Sequence, residues 1–253
     1  MSLGQFSGLF YFSLSLLFFL IVQHWLHREL QALFLLISRH TDLAIGLFSL
    51  LFFPGVLLHE LSHFCMAKIL RVPTGKISLL PRVLPNGKLR MGYVETTRSD
   101  PIREFLIGAA PFISGAAVIS WIGITRLHFF ALGELALESN WQAIMAGLTQ
   151  VNQVADFWVW FYLCLAISST MLPSESDRQG WVPVALVLIL AGGFAFFAGA
   201  GPWIQTNLMP VINQGLYFLS LIFTLSLVIH FVLAIPVSIL AALISRMVGL
   251  KVV

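Results

Sequence analysis

Long apolar stretches alternate with short polar segments along the whole chain. A helix of about 20 apolar residues is long enough to cross the hydrocarbon core of a bilayer. Thr41 and Asp42 are placed to cap the second stretch, and Pro54-Gly55 within it predicts a bend. The pattern predicts about six membrane-spanning helices, which cover residues 6–25, 43–70, 102–127, 155–172, 183–199 and 216–247.

Residues 72–100 interrupt the apolar pattern after the second predicted helix. Prolines punctuate this segment, and Asn86-Gly87 separates two short runs in which apolar and polar residues alternate, 76–80 and 88–96. An Asn-Gly pair between such runs is typical of a β-hairpin. We therefore expect a small β element at the membrane surface, with a disordered basic loop as the alternative.

Two further segments differ from the apolar stretches. In residues 128–153 apolar side chains recur at helical spacing with polar ones between them, which predicts an amphipathic surface helix before the fourth span. Residues 201–215 carry no charge and are expected to form a loop. The predicted fold is an all-α polytopic membrane protein, with residues 1–253 as a single membrane domain.

The composition agrees with a multi-pass membrane protein. Hydrophobic residues make up 58% of the chain and charged residues only 10%, whereas soluble domains carry about a quarter charged residues. The net charge of +3 is not gathered in a dense basic tract, so nucleic acid is not an expected partner. The two cysteines lie in apolar segments and do not indicate a disulfide framework.

The placement of Lys and Arg predicts the orientation, because cytoplasmic loops carry an excess of them. If the N-terminus is cytoplasmic, only Arg28, Arg39 and Arg126 of the 14 basic residues fall on the opposite side. Both termini and residues 72–100 are then cytoplasmic. The polar ends of the second and fourth spans are expected at the same depth.

The sequence H-E-L-S-H begins at His59 and ends at His63, inside the second apolar stretch. Residues four apart on a helix share a face, so the two imidazoles can provide half of a zinc site. Glu60 is placed to take a proton from metal-bound water. Ionisable side chains within an apolar helix usually serve a function. The alternative is that both histidines are interfacial and Glu60 pairs with Lys68 or Arg71.

Catalytic zinc needs a third protein ligand. Asp177, in the polar turn after the fourth span, is the preferred candidate, and Glu175 is the second. Asp156 lies at the other end of that span and is better interpreted as a helix N-cap. His230 is isolated in the last span, where a backbone carbonyl or a neighbouring helix can satisfy it. The alternative for Asp177 is a solvated ion pair with Arg178.

These residues resemble the site-2 protease family of intramembrane zinc metalloproteases. The resemblance covers roughly residues 43–180 and rests on H-E-L-S-H, Ala110-Pro111 and Leu172-Pro173 followed by Asp177. It implies one Zn²⁺ ion bound by His59, His63 and Asp177, with Glu60 as the catalytic base. It also implies a β element like that expected at 72–100 and regulated intramembrane proteolysis in a prokaryotic inner membrane or a thylakoid-type membrane.

The resemblance predicts a hydrolase that cleaves a transmembrane segment of another protein. The edge of the β element could hold the unwound substrate by strand addition. The alternative is a zinc-retaining non-peptidase that acts as an assembly or scaffold subunit in a membrane complex. A metal transporter ranks last, because the first, third and fifth spans offer almost no ionisable side chains at mid-membrane.

Overall fold

The computed structural model describes residues 7–83, 89–129, 154 and 156–249. Most of these residues are helical, and a small β element follows the third helix. The helices are α1 (Ser7–Ser38), α2 (Thr41–Leu51), α3 (Phe53–Ile69), α4 (Pro101–Thr125), α5 (Phe157–Thr170), α6 (Trp181–Ala195) and α7 (Met209–Val248). The strands are β1 (Thr74–Ser78), β2 (Arg82–Val83), β3 (Leu89–Arg90) and β4 (Tyr93–Thr96).

Long apolar helices make the described part of the chain compatible with a membrane protein. Three helical segments, Ser7–Ser38, Pro101–Thr125 and Trp181–Val248, are long and apolar enough to cross a bilayer, and the bent pair of α2 and α3 makes a fourth if counted as one span. The apolar helix α5 is shorter, with 14 residues. The number of six spans is therefore not confirmed.

The break between α2 and α3 agrees with the bend predicted at Pro54-Gly55. The two helices meet at Phe52 at an angle of 69°. α2 begins at Thr41 as expected, but its N-cap position is His40, which makes no side-chain capping bond. Gly55 lies against α5, because an added Cβ would collide with the carbonyl of Ala166. The glycine thus lets α3 and α5 approach closely.

Two sequence-based boundaries were wrong. The polar segment expected after residue 25 continues α1 as a helix to Ser38. Apolar residues recur in this segment every three or four positions and are buried, which stabilises the helix despite the charges on its exposed face. These buried residues are Leu26, Leu30, Leu33 and Leu36. Residues 201–215, which were expected to form a loop, are helical. The helical run that begins at Trp181 is interrupted earlier, by a kink at Gly199, whose φ is +90°.

The expected β element is present. β1 pairs with β4 in antiparallel register, with Ile77 opposite Val94, and β2 pairs with β3 further out. Asn86-Gly87, the predicted turn, lies outside the described residues.

Asp100 caps α4 through its carboxylate, which accepts a hydrogen bond from the Arg103 amide at 3.1 Å. The amphipathic helix expected at 128–153 also lies almost wholly outside the described residues.

The described helices pack in two groups that share one core. α1 lies along α7, and α3 contacts both α4 and α5. The aromatic rings of Phe19 and Phe223 join the first group, with centroids 5.5 Å apart. Phe52 and Ile119 extend the same buried cluster to the second group. This packing fixes the relative positions of α3, α4 and the end of α5, which surround the polar site.

Candidate metal centre

The two histidines of α3 and one carboxylate from the turn after α5 converge on one point. The Nε2 atoms of His59 and His63 lie 3.1 Å apart. Asp177 Oδ2 lies 3.5 Å from the Nε2 of His59, and Asp177 Oδ1 lies 3.3 Å from the Nε2 of His63. One ligand atom from each residue can be chosen so that all three fall within 4.8 Å of one another. The structure therefore places together the three residues that the sequence suggested as metal ligands.

Backbone carbonyls set the orientation of both imidazoles. His59 Nδ1 lies 2.7 Å from the carbonyl oxygen of Thr170, and His63 Nδ1 lies 2.8 Å from that of Ile107. A carbonyl oxygen only accepts hydrogen bonds, so each Nδ1 must carry the proton and donate. In the neutral rings both Nε2 atoms then present lone pairs to each other and to the Asp177 carboxylate. Such a cluster of acceptors repels itself unless a cation lies among them.

The spacing of the donor atoms suits a divalent cation such as Zn²⁺. Zinc binds imidazole nitrogen and carboxylate oxygen at about 2.0–2.2 Å, and a tetrahedral site then separates its ligand atoms by roughly 3.3 Å. The Nε2 atoms lie 3.1 Å apart, and each lies 3.3 or 3.5 Å from its nearer Asp177 oxygen, Oδ1 for His63 and Oδ2 for His59, which is around that value. Two imidazoles and one carboxylate are also a ligand set that catalytic zinc sites use.

Asp177 is held by its own turn and by α4. The backbone amide of Ser174 donates to Asp177 Oδ2 at 2.7 Å. Arg178 Nε donates to the Ser174 carbonyl at 3.2 Å. The backbone of Asp177 lies against Gly108 so closely that a Cβ there would collide with the Asp177 carbonyl oxygen. The small residue at 108 therefore determines how deeply the turn reaches toward α3.

The side chain of Asp177 is largely buried, at 12% exposure, but its carboxyl remains acidic. Burial by itself raises the pKa of this group, but in the metal-free site hydrogen bonds from a protonated Nε2 of His59 or His63, together with the one from Ser174, outweigh that effect. The result is a pKa well below the usual range of an aspartic acid. Asp177 therefore stays ionised, as a metal ligand must.

Glu60 lies next to the triad and is 7% exposed. The β element covers it, because a Cβ added at Gly92 would lie 2.9 Å from both Cγ and Oε1 of Glu60. Lys68, one of the two alternative partners for Glu60, places its ammonium 5.3 Å from the Phe64 ring centroid. The position of Glu60 thus depends on α3 and on the backbone that leads into β4.

A cavity of about 700 Å³ connects these groups. Its walls include the triad, Glu60, residues of β4 and the turn that carries Asp177. Within the described residues β4 has one sheet neighbour, β1. A backbone strand with one paired edge therefore borders the same space as Glu60 and the histidines.

The other candidate ligands occupy different places. Glu175 is exposed and lines the cavity outside the triad. Asp156 precedes α5 at its far end, with a φ of 62° and no side-chain capping bond. His230 is fully buried and places Nδ1 2.8 Å from the Ser226 carbonyl and Nε2 2.9 Å from Ser169 Oγ. It is a satisfied interior histidine, as the sequence indicated.

The end of α5 is tied to α1 and α7. Ser169 Oγ donates to His230 Nε2, and the Ser169 carbonyl accepts from Gln23 Nε2 at 2.8 Å. Thr170, the next residue, provides the carbonyl that orients His59. The last carbonyls of a helix lack partners within it, which leaves them available for side chains. Sequence reasoning missed these supporting groups, because backbone carbonyls carry no residue-specific signal.

Comparison of the chain with protein-family models, curated proteins and solved structures finds no match. The resemblance to site-2 proteases therefore rests on the residues quoted above.

Proposed function

We propose that the chain is an intramembrane zinc metalloendopeptidase of the site-2 protease type that cleaves a transmembrane segment of a protein substrate. The observation that carries the proposal is the convergence of two Nε2 lone pairs and an ionised Asp177 carboxylate beside Glu60. Histidines and carboxylates that merely face solvent have no reason to converge in this way. A hydrolytic metal site needs this convergence, because it requires several metal ligands and a base close to them.

His59, His63 and Asp177 would hold the Zn²⁺ ion. When bound, zinc acts as a Lewis acid that polarises a carbonyl and makes water nucleophilic near neutral pH. Glu60 accepts the proton of the attacking water on its carboxylate and later donates it to the nitrogen of the leaving amine. The Nδ1 protons of His59 and His63 stay hydrogen-bonded to the carbonyls of Thr170 and Ile107, so the rings keep their tautomers during the reaction.

The substrate must reach Glu60 as an extended chain, because a helix hides its carbonyls in its own hydrogen bonds. β4 borders the cavity and is paired with β1, so strand addition at its other edge would bring a backbone alongside the site. In this proposal main-chain hydrogen bonds to β4 hold the unwound segment.

Proline substitution tests the strand-addition step. Neighbouring amides of a strand point to opposite sides, so one of Val94→Pro and Glu95→Pro removes an outward N–H while the other breaks the bond ladder to β1. The variant that keeps its zinc content is the informative one, because its loss of cleavage cannot come from a damaged metal site. We expect that variant to lose cleavage. Unchanged cleavage in that variant would count against strand addition.

The proposal retains six spans and cytoplasmic termini. Two features support it: α5 is apolar although short, and Gly199 interrupts the run from Trp181 to Val248, which is too long for one crossing. The membrane would be a prokaryotic inner membrane or a thylakoid-type membrane. Cysteine labelling from each side of the membrane at the chain ends tests the orientation.

Quantitative proteomics of membrane fragments tests the activity, with wild type compared with Glu60→Gln. We expect fragments cut within a transmembrane segment in wild type only, while both proteins hold equal zinc. Glu29→Gln is the matched control, because Glu29 pairs with Arg28 on α1 at 3.1 Å, outside the cavity. Equal fragments in wild type and Glu60→Gln would instead favour a zinc-retaining scaffold subunit.

A further inference from the structure

Pro111 lies inside α4 and is fully buried. In an α-helix the amide of each residue donates to the carbonyl four positions earlier. Proline has no amide hydrogen, and its ring also crowds that carbonyl. The carbonyl affected by Pro111 belongs to Ile107. This carbonyl therefore cannot receive its usual helical hydrogen bond.

The same carbonyl accepts the hydrogen bond of a metal ligand. His63 Nδ1 lies 2.8 Å from the Ile107 oxygen in a buried position. The bond fixes the proton on Nδ1 and turns Nε2 toward the Asp177 carboxylate, 3.3 Å away. An amide hydrogen at position 111 would compete for the oxygen that His63 uses. The residue type at 111 thus bears directly on the orientation of His63.

We propose that Pro111 is a positioning residue for the metal centre, which withholds an amide hydrogen and so leaves the Ile107 carbonyl to His63. The inference rests on the proposed metal site. It assigns Pro111 a chemical role that goes beyond bending α4. Groups that orient a ligating histidine typically change metal affinity by about 10- to 100-fold when they are removed.

Pro236 provides the matched comparison. It too lies inside a helix, α7, and denies an amide to the carbonyl of Val232. Val232 lies on the exposed surface, at 53% exposure. Replacing Pro236 with Ala therefore restores a helical hydrogen bond without touching the metal centre.

The experiment measures zinc affinity by chelator competition on the detergent-solubilised full chain. Pro111→Ala adds the competing amide hydrogen and also removes part of the ring. A second variant separates the two changes: lactic acid at position 111, the α-hydroxy analogue of alanine, keeps the alanine side chain and has an ester oxygen in place of N–H. Co²⁺ substitution then reports the ligand field of each protein by its visible spectrum.

We expect Pro111→Ala to weaken zinc binding about tenfold or more and to change the Co²⁺ spectrum. The lactic acid variant and Pro236→Ala should stay close to wild type. Equal affinity in Pro111→Ala and wild type would overturn the inference, as would equal losses in the alanine and lactic acid variants, because the ring would then matter rather than the amide. A wild-type protein that binds no zinc would overturn the proposed function first, and this inference with it.

Discussion

The Nε2 atoms of His59 and His63 lie 3.1 Å apart, although the Nδ1 proton of each neutral ring is committed to a backbone carbonyl. Two lone pairs at this distance beside an ionised carboxylate need a positive charge between them. A proton or a metal ion can supply it. A proton and a metal ion therefore compete for this position.

Removing His63 or Asp177 from the triad should abolish tight metal binding. We expect His63→Ala and Asp177→Ala to lower zinc affinity on the order of a hundredfold or more, because each ligand contributes several kcal/mol to a zinc site. Metal content after purification and chelator titration measure the effect. His24→Ala is the control, since His24 is an exposed histidine of α1. An equal loss in all three variants would contradict a specific site.

Lowering the pH should release the metal, because protons compete with it for the imidazole nitrogens. Both Nε2 atoms must be free of protons to bind zinc, whereas the lowered pKa of Asp177 keeps its carboxyl ionised. The contribution of Asp177 to stability is therefore present above its unfolded pKa and is lost only when the pH falls through the lowered value. From neutral pH downwards we expect zinc affinity to fall, with a limiting slope of no more than two protons per metal.

Chelator titrations across that range measure the slope. A slope of three would show that Asp177 also gains a proton, against its lowered pKa. Affinity that does not depend on pH would exclude imidazole ligands.

Gly108→Ala should disturb Asp177. The added methyl group meets the Asp177 carbonyl oxygen, so the turn must move away from α3 at a cost of about 1–3 kcal/mol. We expect lower zinc affinity and a lower thermal midpoint. Gly46→Ala on α2 is the control, because nothing lies within 4 Å of the position of its added Cβ. Wild-type affinity in Gly108→Ala would show that the turn adjusts without moving the carboxylate.

Gly92→Ala should impair catalysis while sparing the metal. Its methyl group would lie 2.9 Å from Glu60 Cγ and Oε1 and 3.1 Å from the Ser78 carbonyl, which displaces the proposed catalytic base. We expect kcat to fall about tenfold or more with unchanged zinc content, since positioned general bases contribute about 10²–10⁴-fold. Gly75→Ala is the control within the β element, where the methyl group meets Oε2 and Cβ of Glu95 rather than Glu60. Equal rates in both variants would contradict this placement of Glu60.

His230→Leu should weaken zinc binding although His230 lies outside the triad. It removes the acceptor of the buried Ser169 hydroxyl, at a cost of about 1–3 kcal/mol, and loosens the end of α5, whose Thr170 carbonyl orients His59. We expect about tenfold weaker zinc binding. His230→Gln, which keeps an acceptor near the Nε2 position, should restore much of it. Stability loss without any change in zinc affinity would limit His230 to a packing role.

The three residues of the candidate metal centre could be found from sequence, because their spacing or their residue type is unusual in an apolar chain. His59 and His63 are one helical turn apart, and Asp177 is an uncommon charge between two apolar helices. The bend at Pro54-Gly55 and the β element also follow from local backbone chemistry. These predictions needed no knowledge of which helices pack together.

The supporting groups could not be found in this way. Every residue carries a carbonyl, so the roles of Ile107 and Thr170 emerge only when α3, α4 and α5 are packed together. The same is true of the contact between Gly108 and Asp177. The extension of α1 to Ser38 was missed for a related reason, since burial of leucines on one face outweighed the charges on the other.

Anomalous diffraction at the zinc absorption edge tests the central claim most directly. The account predicts one peak per chain, about 2.0–2.2 Å from His59 Nε2, His63 Nε2 and an Asp177 carboxylate oxygen. No peak there after zinc is supplied, or a zinc ion bound by other residues while these three stay unliganded, would contradict it.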